Sequence, residues 1–148
     1  MSNIKNRAAF SMIELVFVIV VLGILSAIAV PKFAATRTDA QISKGRADIA
    51  SIRSAIITER QSRLIKGDSD WISQLSDNNT TLFTHNNLLL YGVTSGKEDG
   101  HWERTATNEY TFRVGGKNCT FTYDSSAGTF SEGNTLDDSS SICKNLRN

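Results

Sequence analysis

The hydrophobic positions of this chain are crowded towards one end. Leu15 to Val30 carries no charge and is interrupted only by Gly23 and Ser26. Phe10 to Val30 is 21 residues, which as a helix spans about 31 Å, enough to cross a bilayer core. Beyond Pro31 the pattern becomes a stripe. Ile42, Ile49 and Ile56 recur every seven residues, with Gly45 and Ile52 between them. Ala47, Ala50 and Ile57 are expected to widen this apolar face. The spacing predicts an amphipathic helix to about Lys66, stopped by Gly67. Continuous from Phe10 to Lys66, it would be about 85 Å long, more than the small remainder could bury. Its first half must therefore meet lipid or other chains.

Downstream, Asp68-Ser69-Asp70 reads as a cap opening a short helix that ends near Leu75. Ser76 to Asn87 is polar and predicts a loop. Tyr110–Val114 and Cys119–Tyr123 alternate with period two, which predicts a hairpin whose turn is Gly115-Gly116-Lys117-Asn118. A third strand is expected at Thr129 to Ser131. Tyr110, Phe112, Val114, Phe121 and Tyr123 should face the helix. The fold class is thus α+β: a long N-terminal helix, transmembrane in its first half, packed on a small antiparallel sheet. The segments are a polar leader (1–9), a membrane helix (10–31), an amphipathic stem (32–66) and a globular head (67–148).

Composition changes this picture in three places. With 148 residues and 40% hydrophobic content, the chain could fill a core, but one segment absorbs much of that content, so the head must be small. The net charge of +1 hides an asymmetry. Lys32 to Lys66 holds Lys32, Arg37, Lys44, Arg46, Arg53, Arg60, Arg63 and Lys66 against Asp39, Asp48 and Glu59, whereas the head is acidic. Either these are two solvated surfaces, or basic stems and acidic heads of neighbouring copies face each other. Direct nucleic-acid binding is not indicated, because the basic residues are scattered and no aromatics interleave them. Cys119 and Cys143 have no His at metal-ligand spacing. Outside the cytoplasm the pair is most simply a disulfide, worth roughly 3 kcal/mol for a loop of that size. Within the Phe10–Val30 span Glu14 is the misfit: either it lies deep in lipid, where a carboxylate costs roughly 2.5–3.5 kcal/mol, or, four residues from Phe10, it stays near the headgroups and costs little.

The N-terminus carries a resemblance. A leader with Lys5 and Arg7, small Ala9, then Phe10-Ser11-Met12-Ile13-Glu14 and a continuous apolar helix resembles the type IV prepilin signature. The match runs from about Arg7 to Ala35. It implies cleavage by prepilin peptidase between Ala9 and Phe10, where the family usually has Gly before the cut, and N-methylation of Phe10. Glu14 falls five residues after the cut, and Gly23 and Pro31 stand where the family has a Gly and a Pro. The implied assembly residues are Phe10, Glu14, Gly23 and Pro31. The Phe10 amine of one copy would pair with Glu14 of another, a contact that rewards one stagger between subunits. The resemblance implies a structural subunit of a type IV pilus-like or type II secretion pseudopilus filament. Its partners would be prepilin peptidase, copies of itself, other pilin-like subunits and an inner-membrane assembly platform. The head would lie in the periplasm, although the charges flanking the apolar run do not decide orientation.

A rival reading takes Ala27-Ile28-Ala29 as a signal-peptide cleavage pattern, leaving an extracytoplasmic binding module. An enzyme is least supported: there is no Ser/His/Asp set, phosphate-binding Gly loop or metal-spaced cluster, and no cofactor or metal is expected. His85 and His101 read as surface residues. Glu132, Asn134, Asp137 and Asp138 are close enough in sequence to offer oxygens to calcium, but in no defensible order. Asp77-Asn78-Asn79-Thr80-Thr81 contains an acid-x-Asn-x-Thr pattern of the kind some bacterial N-glycosylation systems accept at Asn79.

Overall fold

The structure is a computed structural model that describes residues 10–133 and 141–147. The chain divides into two compact units, Met1–Arg37 and Thr38–Asn148. One helix, α1 (Met12–Ile65), contributes to both.

The helix ends where the sequence predicts, and for the expected reason. Gly67 takes a φ of +84°, open to glycine without Cβ strain. Its N–H donates to the Leu64 carbonyl at 3.1 Å, and the Asp68 N–H donates to the Arg63 carbonyl at 3.0 Å. This paired closure satisfies two of the last carbonyls of the helix.

In the second unit, α1 buries Ile42, Gly45, Ile49, Ile52 and Ile56, the stripe read from the sequence. Ala47, Ala50 and Ile57 do not widen it and are exposed. Ala55 packs at the edge of the core instead. Four antiparallel strands in the order β3 (Trp102–Ala106), β4 (Glu109–Val114), β5 (Lys117–Asp124), β6 (Thr129–Glu132) form the main sheet. Two short strands, β1 (Thr81–Leu82) and β2 (Val93–Thr94), pair separately. The layout is α+β and pilin-like, as expected.

The β4–β5 hairpin forms with a shorter turn than predicted. Val114 pairs with Lys117, so Lys117 and Asn118 belong to the strand and the turn is Gly115-Gly116, at φ +56° and +72°. Two consecutive positive φ values suit the twist of a tight hairpin, and glycine adopts them freely. The pairing sets Tyr110 against Phe121 and Phe112 against Cys119, so the predicted inward residues share one face. All of them are buried, together with Phe83, Trp102 and Phe130. Phe83 packs at 4.6 Å from Tyr110, and Trp102 at 4.9 Å from Phe112, centroid to centroid.

The expected helix after Asp68 is absent. Asp68 ion-pairs with Arg63 at 3.0 Å and accepts the Asp70 N–H at 2.9 Å, which makes a turn of the would-be cap. The backbone beyond is claimed by the sheet. The Tyr123 hydroxyl donates to the Ile72 carbonyl at 2.8 Å, and Asn108 Nδ2 to the Ser73 carbonyl at 2.8 Å. The buried Ser76 hydroxyl accepts from the Phe83 N–H at 2.8 Å and from the Tyr110 hydroxyl at 3.0 Å. These long-range bonds hold the segment against the sheet along a non-helical path.

Cys119 on β5 and Cys143 on the C-terminal helix α2 (Ser141–Arg147) are joined by a disulfide, with a Cα–Cα distance of 5.4 Å. Several stem cations serve their own head. Arg53 Nε donates to the Phe130 carbonyl at 3.0 Å, Lys44 Nζ to the Gly100 carbonyl, and Arg46 Nε to the Asn145 carbonyl. Arg60 lies 4.8 Å over the Trp71 ring. Part of the stem's positive charge thus pins head segments within one chain.

Candidate functional site

The first unit holds the residues singled out for assembly. Its helix opens on Ser11, whose N–H donates to Glu14 Oε2 at 2.7 Å, while the Glu14 N–H donates to Ser11 Oγ at 3.3 Å. This is a reciprocal capping box, which satisfies two N–H groups that the first helical turn leaves without partners. Sequence reasoning missed the role of Ser11, although the signal was present as Ser11-Met12-Ile13-Glu14. The carboxylate that looked out of place is therefore already bonded within its own chain.

From Phe10 to Phe33 the large apolar side chains are exposed, Phe10 at 86% and Phe17 at 69%. Within α1 an 18-residue window reaches a mean hydropathy of 2.9 with none of it buried. So large an apolar surface needs a cover of lipid or protein. α1 continues through Pro31, whose missing N–H leaves the Ala27 carbonyl without its helical donor. A Cβ built at Gly23 would meet nothing within 4 Å, so no packing inside the chain calls for glycine there. Phe10, Gly23 and Pro31 lie at separate positions along the chain. The structure brings Glu14 together with Ser11. Ala9, on the leader side of the expected cut, lies outside the described residues.

Residues 4–30 match the family model described as the prokaryotic N-terminal methylation motif. The chain carries the type IV pilin and pseudopilin signature. No curated protein and no solved structure was found to match the chain. The pilin motif covers residues 4–9, Phe10, Glu14, Gly23 and the whole apolar run to Val30, and implies processing by prepilin peptidase and pilin-type assembly. The exposed apolar helix and the motif together fit a membrane-anchored, single-pass protein.

The pilin-like head offers little chemistry among the described residues. His85 Nδ1 is paired with Asp77 Oδ1, and Gln74 Nε2 lies 3.5 Å from the same ring nitrogen. His101 packs beside Gly96. Of the four oxygen-bearing residues considered for calcium, Asn134, Asp137 and Asp138 lie outside the described residues. Burial pushes the Tyr123 phenol up to about 12; Asp124 adds to the rise and the Arg63 guanidinium opposes it. The Tyr110 phenol is also raised, by burial first, against its hydrogen bond to Ser76.

Proposed function

We propose that this chain is a structural subunit of a type IV pilus-like or type II secretion pseudopilus filament. In this reading residues 1–9 are a leader, cut by prepilin peptidase between Ala9 and Phe10. Phe10 becomes the N-methylated terminus, 10–31 is the assembly helix, 32–66 the stem and 67–148 a periplasmic head. The observation that carries it is the methylation motif at residues 4–30, which runs into a helix from Met12 whose apolar side chains its own chain leaves uncovered. Other copies, pilin-like subunits and an inner-membrane platform supply the cover when the helix leaves lipid.

Glu14 acts twice. One carboxylate oxygen receives the Ser11 N–H, and its negative charge meets the Phe10 amine of a neighbouring copy. A buried pair of this kind penalises any docking that leaves the acid alone. Gly23 and Pro31, the two poorest helix formers of the assembly helix, bracket the part that loosens on entering the filament.

Two substitutions separate the roles of Glu14. Glu14→Gln keeps the capping box, because Gln fills that position, but removes the charge. Glu14→Ala removes both. Both variants are expected in the membrane fraction at wild-type level and absent from sheared filaments. Normal filaments from Glu14→Gln would sink the charge-pairing account.

A further inference from the structure

The loop before β1 holds two overlapping Asn-x-Thr triplets, Asn78-Asn79-Thr80 and Asn79-Thr80-Thr81, each the acceptor pattern for an asparagine-linked glycan. The structure separates them. Asn78 Oδ1 accepts three hydrogen bonds, from the Thr80 N–H at 3.0 Å, the Thr80 hydroxyl at 3.0 Å and the Thr81 N–H at 2.8 Å. Its carboxamide is locked, and the hydroxyl two residues on, which a transferase must read, is bonded back to it. Asn79 is exposed, and among the described residues neither its carboxamide nor the Thr81 hydroxyl makes a hydrogen bond. Asp77 stands two residues before Asn79, completing acid-x-Asn-x-Thr. Its Oδ1 is held by His85 and Gln74, leaving Oδ2 without a bond among the described residues.

We propose that Asn79 is the acceptor for an N-linked oligosaccharide delivered from a polyprenyl-pyrophosphate donor. The bond from Asn79 Nδ2 to the sugar C1 forms and the C1–O bond to pyrophosphate breaks. The pyrophosphate oxygen leaves with the electron pair, and one amide proton passes to base. An amide nitrogen is a weak nucleophile because its lone pair is shared with the carbonyl, so the transferase must grip and twist the carboxamide. Asn79 permits that, and Asn78 does not without dismantling its turn. Beside Asn79 a recess of about 510 Å³ is lined by Thr94, Ser95, Lys97, Glu103 and Arg104. These hydroxyl and charged groups match the hydroxyls of a first sugar. The inference rests on the reading that the head lies outside the cytoplasm, where such donors are used.

The test is a reaction of the full-length chain in detergent with a purified bacterial oligosaccharyltransferase and a polyprenyl-pyrophosphate-linked oligosaccharide, read by intact mass and peptide fragmentation. One glycan is expected, on Asn79. It is lost in Asn79→Gln and Thr81→Val, reduced at least tenfold in Asp77→Asn, and retained in Asn78→Asp, which keeps the oxygen that shapes the turn. A glycan on Asn78 overturns the proposal. So does an unmodified folded chain, whether or not the denatured chain is modified. Protease access to the head in spheroplasts tests its location separately, so a cytoplasmic head would defeat the location reading while the acceptor result is judged on its own.

Discussion

Gly45 on the stem lies directly against the Phe112 ring of the sheet. A Cβ at Gly45 would sit 2.7 Å from Phe112 Cε1 and 2.6 Å from Leu146 Cδ2. The missing side chain lets β4 and α2 meet one spot on the stem. Phe112 is held in turn by Trp102, so it cannot step aside cheaply.

Gly45→Ala is therefore expected to destabilise the head, although alanine is the better helix former. Overpacking costs about 1–3 kcal/mol and the propensity gain returns up to about 1 kcal/mol. Thermal unfolding in detergent should show a net loss of up to about 2 kcal/mol. Gly23→Ala, which meets no atom of its own chain within 4 Å, should leave the head transition where it is.

The Tyr123 phenol, raised by burial to about 12, makes stability fall at high pH. The folded state keeps it neutral while the unfolded chain ionises near 10. Its contribution is thus whole below about pH 10 and is lost as pH rises from there through about 12. Chemical unfolding at stepped alkaline pH should show this decline. Tyr123→Phe should lessen it, leaving the part due to buried Tyr110, at the cost of the bond to the Ile72 carbonyl.

Replacing both Cys119 and Cys143 by Ser should lower head stability by about 3 kcal/mol on the chain-entropy estimate. Leu146, which is buried and reaches Gly45, lies three residues beyond Cys143. α2 should thus be the first element to lose protection in hydrogen exchange when the bridge is reduced.

Much of this was legible in sequence because it repeats. Ile42, Ile49 and Ile56 announce a buried helix face, and Tyr110, Phe112 and Val114 a half-buried strand. What escaped was short or held by distant partners. β1 and β2 are two residues each, too few for any period. β3 buries only Trp102 fully among its five residues, so it shows no alternation. The acid-rich start at Asp68 promised a helix, but Tyr123 and Asn108, far along the chain, take the carbonyls at Ile72 and Ser73. Ala47, Ala50 and Ile57 looked like core because hydrophobicity alone does not say how wide a face the head covers. At the assembly helix, Glu14 stood out as a charge in an apolar run, whereas its bond to Ser11 needed the capping pattern to be recognised.

The central claim concerns the mature N-terminus, and the intact mass and terminal sequence of the protein from native cells test it most directly. The account predicts a chain beginning at N-methylated Phe10, lighter by two hydrogens for the Cys119–Cys143 bridge. A chain beginning at Val30 would have lost its assembly helix, and would contradict the filament reading in favour of a small secreted binding domain.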